Sequence, residues 1–406
     1  MIVIQLLLAF CIGASLLYYL FSLYCVARLF QPDPGEERAE ELPPASILKP
    51  VKGAEPGISQ NFHSLCCQDY PTYQIHFGTV TPEDPAIPVI ERVRDRCPGR
   101  EIGLHVVGRG DGANEKVWIL RNLLGKAQEE LLVINDADIR VGPDYLRRIL
   151  PPLKDPEVGL VTTPYRAIEA QGKGIYATLT ALYVNADFFP SVAVASRLQR
   201  IDFGLGATLA TKRQVLARIG GLEALADLLA DDFYLGHKID RAGYQVRLVP
   251  YLVDTVIPRQ GARDFFHQQL RWARTLRSCR PWGYFWSGIT HGVTASTLWL
   301  LLSRFSHGGW LLFALTLLVR LLTTWGITSH YLRLPRAAHD LWLLPLRDWL
   351  GTFFWLGSFL GNRVTWRGRR FILDREGRIH GSGTGDPIPD PRSGRHNGSA
   401  GSPDPG

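Results

Sequence analysis

Two acidic residues separated by one position stand directly after a short apolar run in this chain of 406 residues. The run, Leu131–Ile134, is typical of a buried strand, and Asp136 and Asp138 follow it. Alternate residues of an extended segment point the same way, so both carboxylates can approach one cation. Mg²⁺ or Mn²⁺ prefers such oxygen ligands and keeps coordination positions for phosphate oxygens. Acids at this place also cap turns, and the spacing alone leaves both interpretations open.

A second acidic pair, Asp231 and Asp232, lies between two apolar, helix-like runs. A helix N-cap explains one aspartate, but adjacent like charges cost energy unless a site uses them. A carboxylate in a cleft can take a proton from an attacking hydroxyl, and such general-base catalysis contributes about 10²–10⁴ in rate. Asp232 is therefore a candidate general base, with the helix cap as an equal alternative.

The segment Gln268–Trp272 combines a guanidinium group with a large aromatic ring. The planar fork of Arg271 suits the paired oxygens of a diphosphate. Trp272 can stack on a sugar or anchor the chain at the level of lipid head groups. An amphipathic helix on a membrane surface is the alternative, because further arginines lie nearby.

The apolar runs of the chain predict the elements that position these residues. Strand-like runs at Ser46–Leu48, Ile75–Val80 and Glu101–Val107 precede Leu131–Ile134, and a helical pattern covers Lys116–Gln128. Strands that alternate with helices predict an α/β fold with a mostly parallel sheet. Ligands of such sheets bind at the carboxyl ends of the strands, where we expect the first acidic pair.

Both ends of the chain carry long apolar segments. Residues 2–27 contain no charge and are long enough to cross a hydrocarbon core of about 30 Å. No basic region precedes them, which favours a membrane span over a cleaved signal peptide, and Arg28 directly after them predicts that the middle of the chain is cytosolic. Two or three further spans are predicted within Gly288–Ser303, Gly309–Tyr331 and Leu341–Gly361.

The net charge of +7 suits a protein that lies beside anionic lipids. No basic stripe interleaved with aromatic residues is present, so nucleic-acid binding is not expected. None of the six cysteines has a zinc-site spacing, and we interpret them as free thiols in a reducing compartment. The predicted organisation is an N-terminal transmembrane helix, a linker, a catalytic domain with interfacial helices near its end, a C-terminal transmembrane region, and a tail that is basic and then disordered: residues 1–28, 29–44, 45–286, 287–362 and 363–406.

The order of these segments resembles the ceramide glucosyltransferase-like branch of the processive-type GT-A glycosyltransferases. The resemblance covers most of residues 45–280 and rests on these segments: Ser46–Gly53, Asp69–Pro71, Glu83–Ile87, Asn135–Val141, Gly204–Lys212, Ile219–Leu222, Ala230–Phe233 and Gln268–Trp272. It implies a Rossmann-like GT-A domain in the cytosol with transmembrane helices at both ends. The implied activity is inverting transfer of a sugar from a UDP-sugar to the hydroxyl of a membrane lipid.

The resemblance also assigns roles to matching positions. Asp232 falls on the catalytic-base aspartate. Asp136 and Asp138 match the motif for the metal and the diphosphate, and Asp138 departs from the eukaryotic ceramide enzymes, which show only the first of these acids. The residues expected to bind the nucleotide-sugar are Asp84, Asn114, Lys116, Asp136, Gly206, Gln268, Arg271 and Trp272. The glycines of Gly204–Gly206 let the backbone approach a ligand or simply form a bend.

Within this branch the segments are most similar to the bacterial hopanoid-pathway glycosyltransferases, which transfer N-acetylglucosamine to bacteriohopanetetrol. This similarity predicts UDP-N-acetylglucosamine as donor and a multi-pass protein of the bacterial cytoplasmic membrane. A ceramide glucosyltransferase that uses UDP-glucose is the alternative. Two other classes also stay open, a nucleotide-sugar pyrophosphorylase-like enzyme and a non-catalytic lipid-binding membrane protein. The sequence does not indicate an oligomeric state.

Overall fold

The computed structural model describes residues 2–31, 42–170, 174–335 and 338–381. Most of the predicted linker, residues 29–44, therefore lies outside the described residues. The predicted disordered end of the tail, beyond residue 381, also lies outside them.

The described residues form α-helices, β-strands and a few short 3₁₀ and π turns. The α-helices are α1 Ile2–Leu29, α2 Ile58–Cys66, α3 Ile87–Arg96, α4 Glu115–Leu124, α5 Tyr145–Ile149, α6 Ile175–Leu182, α7 Phe189–Leu198, α8 Arg213–Arg218, α9 Asp231–Arg241, α10 Ala262–Cys279, α11 Pro281–Ser287, α12 Gly292–Leu302, α13 His307–Gly326 and α14 Leu344–Ser358. The strands are β1 Ala45–Pro50, β2 Tyr73–Thr79, β3 Glu101–Val106, β4 Leu131–Ile134, β5 Ile139–Arg140, β6 Val158–Thr162, β7 Tyr165–Glu169, β8 Leu209–Lys212, β9 Gln245–Leu248, β10 Val253–Ile257, β11 Arg363–Trp366, β12 Arg369–Leu373 and β13 Ile379–Gly381. π turns lie at Tyr183–Phe188 and Ile327–Tyr331.

A seven-stranded sheet in the order β3-β2-β1-β4-β8-β6-β9 forms the centre of the domain. β8 is antiparallel to both of its neighbours, whereas the other pairs are parallel. Every residue of β1, β2 and β4 is buried, as expected for parallel strands covered on both faces. The predicted strands and the mostly parallel α/β sheet are confirmed.

Helices cover both faces of this sheet. On one face α2 packs on β2, where the rings of Phe62 and Phe77 lie 4.8 Å apart, and Ile90 of α3 joins the same core. The other face packs against α4, α8 and α9 through residues such as Leu120 and Leu235. The cores on the two faces of the sheet are apolar and buried, and both include residues of β1 and β4. They therefore hold the carboxyl ends of these strands in place relative to the surrounding helices.

A second, three-stranded sheet in the order β5-β10-β7 lies beside the first. Its strand β5 begins directly after Asp138, and the amide of Val256 on β10 donates to the carbonyl of Asp138 at 3.0 Å. The chain then passes from β10 into α10, which carries Gln268–Trp272. This sheet therefore connects the first acidic pair to the predicted Gln-Arg-Trp segment.

Two of the described helical segments, Ile2–Leu29 and His307–Tyr331, are long and apolar enough to cross a membrane. α1 packs against α7, α12 and α13. The predicted segment Gly288–Ser303 contains the shorter apolar helix α12. Leu341–Gly361 contains α14, on which Arg347 and Asp348 are buried. Of the predicted C-terminal segments, Gly309–Tyr331 alone meets this length and hydropathy criterion among the described residues.

Residues 363–381, which the sequence analysis described only as the start of a basic tail, form an antiparallel sheet of β11, β12 and β13. A two-residue turn joins β11 to β12, with φ values of 50° at Arg367 and 77° at Gly368, as a type I′ hairpin requires. The sheet packs on Leu229 just before α9. The Leu229 amide also donates to the Gly377 carbonyl at 3.0 Å, so the sheet supports the loop that leads to Asp232.

Candidate active site

A cavity of about 2900 Å³ opens at the carboxyl ends of β1 and β4. Residues from α4, α9, α10, the hairpin turn at Arg367 and the long apolar helix α1 also line it. Eight of the predicted site residues are among the lining residues: Lys116, Asp136, Asp138, Gly206, Asp232, Gln268, Arg271 and Trp272. The structure thus brings together segments that are up to 156 positions apart in the chain (116 to 272).

Lys116 joins the two acidic pairs. Its ammonium group lies 2.8 Å from Oδ1 of Asp136 and 2.8 Å from Oδ2 of Asp231. Burial lowers the pKa of Lys116, but the two carboxylates raise it by more, so the pKa lies above its usual value. Lys116 is therefore a fixed positive charge between the acids, and it stabilises them as carboxylates.

Asp232 is the second residue of α9 and lies beside this ion-pair network. Its Oδ2 accepts a hydrogen bond from the Gly206 amide at 2.8 Å, and its Oδ1 accepts one from its neighbour Phe233 at 2.8 Å. Burial, and then the charge of Asp231, raise the pKa of Asp232 to about 6, although Lys116 opposes them. A fixed carboxylate with this pKa is suited to accept a proton near neutral pH.

Gly206 fits between the two acids because it has no side chain. Its amide donates to Asp232, and its carbonyl accepts from the Asp136 amide at 3.3 Å. A Cβ atom at this position would lie 2.6 Å from Oδ2 of Asp136 and 3.2 Å from Oδ2 of Asp232. The sequence left open whether this glycine allows a close approach or forms a bend, and the geometry favours the close approach.

Asp136 and Asp138 both face the cavity, and each has one oxygen already engaged. Oδ1 of Asp136 pairs with Lys116, and Oδ2 of Asp138 accepts from Oγ1 of Thr255 at 2.7 Å. Burial and the charge of Asp136 raise the pKa of Asp138 to about 6. The described residues contain no group of three acidic, histidine or cysteine side chains that could hold a metal ion. The other oxygen of each carboxylate has no such partner and could serve as a ligand of a cation whose remaining ligands are diphosphate oxygens.

Lys49, which the sequence analysis did not single out, lies beneath these acids on β1. Its ammonium group donates to Oδ1 of Asn135 at 3.1 Å and to the carbonyl of Asp136 at 2.5 Å. Burial lowers its pKa to about 7, while the carboxylates of Asp138 and Asp136 oppose the change. The sequence signals were its place directly after the predicted strand Ser46–Leu48 and within the segment Ser46–Gly53 that carries the resemblance. A lysine that is buried there requires a polar partner.

Two predicted nucleotide-binding residues, Asp84 and Asn114, do not belong to the cavity lining. Asp84 accepts hydrogen bonds from the amides of Gly53 and Ala86 at 2.9–3.1 Å, and Gly53 does line the cavity. Asn114 caps α4 and donates to the carbonyl of Leu228 at 2.7 Å. In this structure both residues position the loops around the cavity, and their contact with a nucleotide stays a prediction.

The segment on α10 presents its polar side chains to the cavity. No hydrogen bond or ion pair links the guanidinium of Arg271 to any described residue. Burial and then the nearby Arg367 lower the pKa of Arg271 to about 10, while Asp136 and Asp232 oppose the change. Trp272 stacks on Tyr183 with ring centroids 5.4 Å apart. Arg271 is therefore available to bind an anion, and Trp272 forms part of the wall.

The turn of the C-terminal hairpin adds basic residues that the sequence analysis missed. Arg367 and Arg369 line the cavity, and Arg367 lies 3.6 Å from Oε1 of Glu115, which also pairs with Lys52 at 2.8 Å. The cavity is thus acidic at the ends of the strands and basic toward this hairpin and Arg271. A diphosphate with a bound cation has the matching arrangement of charge.

Comparisons with known proteins agree with this geometry. Residues 7–379 match the profile of glycosyl transferase family 21. Ceramide glucosyltransferase 1 of Caenorhabditis elegans is 22% identical over 395 residues, which are 94% of this chain and 82% of that protein. Beta-monoglucosyldiacylglycerol synthase of Synechocystis is 26% identical over 246 residues, which are 59% of this chain and 49% of that protein.

A solved structure shares the fold. The mannosyltransferase of Pyrobaculum calidifontis, in complex with GDP-Man and Mn²⁺, superposes with a TM-score of 0.52 at 19% sequence identity, covering 88% of this chain and 98% of that chain. The likeness confirms the predicted GT-A-like glycosyltransferase fold.

Proposed function

The chain belongs to glycosyl transferase family 21 and is a glycosyltransferase, and we propose that it transfers N-acetylglucosamine from UDP-N-acetylglucosamine to a hydroxyl of bacteriohopanetetrol. One observation carries the lipid acceptor: the cavity that contains Asp232 and Arg271 is also lined by Tyr18 and Tyr19 of the long apolar helix α1. Relatives named for ceramide and diacylglycerol products support a lipid acceptor. Membership of the family argues against the pyrophosphorylase-like and non-catalytic alternatives.

In this proposal Asp232 is the general base of an inverting transfer. The amides of Gly206 and Phe233 fix its carboxylate, so that it can take the proton of the acceptor hydroxyl as the oxygen attacks the anomeric carbon. The raised pKa of Asp232 increases its strength as a base, yet leaves it mostly ionised at pH 7. The same carboxylate, that of Asp232, is therefore both held in place and basic enough to take the proton of the acceptor hydroxyl.

The leaving UDP needs positive charge. Arg271 supplies a guanidinium group that no described residue engages, and its fork bonds diphosphate oxygens in pairs. Gln268 and Trp272 line the cavity beside it. A bound Mg²⁺ or Mn²⁺ would neutralise the diphosphate, with Asp136 and Asp138 as its protein ligands. Charge stabilisation of this kind is commonly the largest contribution to catalysis.

The membrane presents the acceptor. We place α1 and His307–Tyr331 across the bacterial cytoplasmic membrane as part of a multi-pass protein, with the catalytic domain in the cytosol. The aliphatic part of the lipid then stays in the bilayer, and only its polar head enters the cavity. The tail supplies binding energy away from the reacting atoms, and this energy offsets the cost of orienting the reacting hydroxyl.

Glucosylation of ceramide is the second candidate. It is supported by the similarity to ceramide glucosyltransferase 1, which extends over 94% of this chain. That reaction would use UDP-glucose and the same roles for Asp232 and Arg271. The choice of sugar and lipid separates the two candidates.

A substrate panel tests the proposal. Purified full-length protein is incubated with Mg²⁺ or Mn²⁺ and with UDP-N-acetylglucosamine or UDP-glucose, against bacteriohopanetetrol, ceramide and diacylglycerol, and products are identified by mass spectrometry. We expect N-acetylglucosaminyl bacteriohopanetetrol together with release of UDP. Formation of glucosylceramide alone would establish the second candidate, and transfer to none of the lipids would refute a lipid acceptor.

A further inference from the structure

A cluster of four charged residues, three of them buried and one partly exposed, lies in the same cavity, away from the acidic pairs. Arg320 of α13, Arg347 and Asp348 of α14, and Asp187 of the π turn all line it. The two arginines and two aspartates balance to zero net charge. Charged residues beside apolar, membrane-type helices are costly and commonly mark a functional site, and π turns also recur at such sites.

Arg320 is fully engaged within this cluster. Its Nε and Nη2 donate to the two oxygens of Asp348 at 3.1 and 2.9 Å. Its Nη1 donates to the carbonyl of Ala186 at 3.1 Å, and Nη2 also pairs with Asp187. Every nitrogen of this guanidinium therefore has a partner, and Arg320 joins α13, α14 and the π turn.

Arg347 differs from Arg320 in this respect. Its side chain is only 3% exposed, and its Nη2 lies 3.3 Å from Oδ2 of Asp187. Among the described residues, its Nε and Nη1 have no hydrogen-bond partner. A buried cation with two unpaired donors that faces a cavity lacks hydrogen bonds that a ligand can supply.

The surroundings of Arg347 connect it to the proposed reaction site. Its guanidinium lies 4.7 Å from the ring centroid of Tyr183, and that ring stacks on Trp272, the neighbour of Arg271. Asp187 also joins it to Arg320, whose guanidinium lies 5.0 Å from the ring centroid of Tyr19 on α1. Arg347 is thus connected through neighbouring side chains both to the proposed diphosphate clamp and to the helix along which a lipid tail would run.

We propose that Arg347 and Asp187 bind the neutral, hydroxyl-bearing head group of the lipid acceptor. Nε and Nη1 of Arg347 donate hydrogen bonds to head-group oxygens, and Asp187, whose side chain is 30% exposed, accepts one from a hydroxyl. A neutral head group fits because the cluster already has zero net charge, and an anionic one would face Asp187. The inference rests on the proposed function, since it specifies the acceptor end of the same cavity.

Kinetics of Arg347→Gln and Arg347→Lys test the inference, with Arg304→Gln as a control at an exposed arginine outside the cavity lining. With bacteriohopanetetrol as acceptor, we expect Arg347→Gln to raise the KM for the lipid about 10- to 100-fold, because charge-assisted hydrogen bonds are lost. The KM for UDP-N-acetylglucosamine should stay within about twofold. Lysine keeps the charge without the fork, so it should restore only part of the affinity. An unchanged lipid KM, or equal changes in both KM values, would overturn the proposal.

A second variant avoids removing the arginine. A methyl group at Gly351 would lie 3.6 Å from Cε1 of His291 and 3.7 Å from Nη1 of Arg347, which are ordinary contacts. Gly351→Ala should therefore fold at least as well as the wild type, because alanine favours a helix more than glycine does. It should nevertheless weaken lipid binding several-fold, since the methyl group would lie against the unpaired Nη1 of Arg347 and block a ligand from it.

Binding without any donor separates this inference from the proposed function. We would measure the shift in unfolding temperature of the full-length protein on adding bacteriohopanetetrol or phosphatidylglycerol. The expected result is stabilisation of the wild type by bacteriohopanetetrol that is reduced in Arg347→Gln and Gly351→Ala. If phosphatidylglycerol raised the unfolding temperature more than bacteriohopanetetrol does, and did so only with Arg347 present, the inference that the site binds a neutral head group would be overturned. Arg347-dependent binding of bacteriohopanetetrol without any sugar transfer would refute the proposed function and leave this inference standing.

Discussion

The amide of Gly206 donates a hydrogen bond to Oδ2 of Asp232 at 2.8 Å. The carbonyl of the same glycine accepts from the amide of Asp136 at 3.3 Å. Gly206 therefore sets the distance between Asp232, the proposed base, and Asp136, a proposed ligand of the cation. The arrangement leaves no room for a side chain at position 206.

Gly206→Ala should lower kcat by about 100-fold or more, because a misplaced catalytic group costs rates of that order. The added Cβ would lie 2.6 Å from Oδ2 of Asp136 and 3.2 Å from Oδ2 of Asp232, so both carboxylates must move. Gly99→Ala is a matched control, since a Cβ there meets nothing within 4 Å. Steady-state kinetics and thermal unfolding of both variants check this, and a Gly206→Ala enzyme with normal kcat would contradict it.

Asp232→Asn should lower kcat by about 10²–10⁴, the range of a lost general base. Binding of UDP, followed by calorimetry, should change little because the amide keeps the size of the carboxylate. Asp95→Asn, at a side chain that is 74% exposed, serves as the control and should be fully active. Robust turnover by Asp232→Asn would exclude the residue as the base.

The pH dependence of the rate follows from the raised pKa of Asp232. A general base must be deprotonated, so activity should be complete above pH 7 and fall as the pH drops through about 6, approaching tenfold per pH unit below it. The profile of kcat/KM from pH 4.5 to 8, with unfolding monitored at each pH, measures this. Activity that stays constant down to pH 4.5 would show that no group with this pKa controls the rate.

The central sheet was predictable from local pattern, because apolar runs and their ends are visible in the sequence. Leu131–Ile134 is a strand over the predicted residues, and Asp136 lies at its carboxyl end. The pairing of Lys49 with Asn135 joins positions 86 residues apart, which no local pattern encodes. The hairpin turn at Arg367–Gly368 had a local signal, but its approach to Arg271 depends on how the C-terminal sheet packs against Leu229 and α10.

That approach makes Arg367 a testable part of the donor site. Arg367→Ala should raise the KM for the UDP-sugar about 3- to 10-fold, as expected for a partly exposed charge-assisted contact to an anion. Arg271→Ala should have a larger effect because Arg271 has no other partner among the described residues. Arg375→Ala, at an exposed arginine in the turn between β12 and β13 and outside the cavity lining, should leave the KM unchanged. If Arg367→Ala and Arg375→Ala changed the KM for the UDP-sugar equally, the hairpin would contribute only general positive charge and no specific contact with the donor.

Removal of divalent metal tests the first acidic pair. Two carboxylates alone give a weak cation site, and diphosphate oxygens are expected to complete it. Treatment with EDTA should therefore abolish transfer, and added Mn²⁺ or Mg²⁺ should restore it.

Binding of Mn²⁺, followed by electron paramagnetic resonance, should be tight only when UDP is present. Asp138→Asn should weaken this binding about tenfold or more, whereas Asp254→Asn, an acid that pairs with Arg166 on the neighbouring strand, should not. Full activity of the metal-free enzyme would show that the two acids do not act through a bound cation.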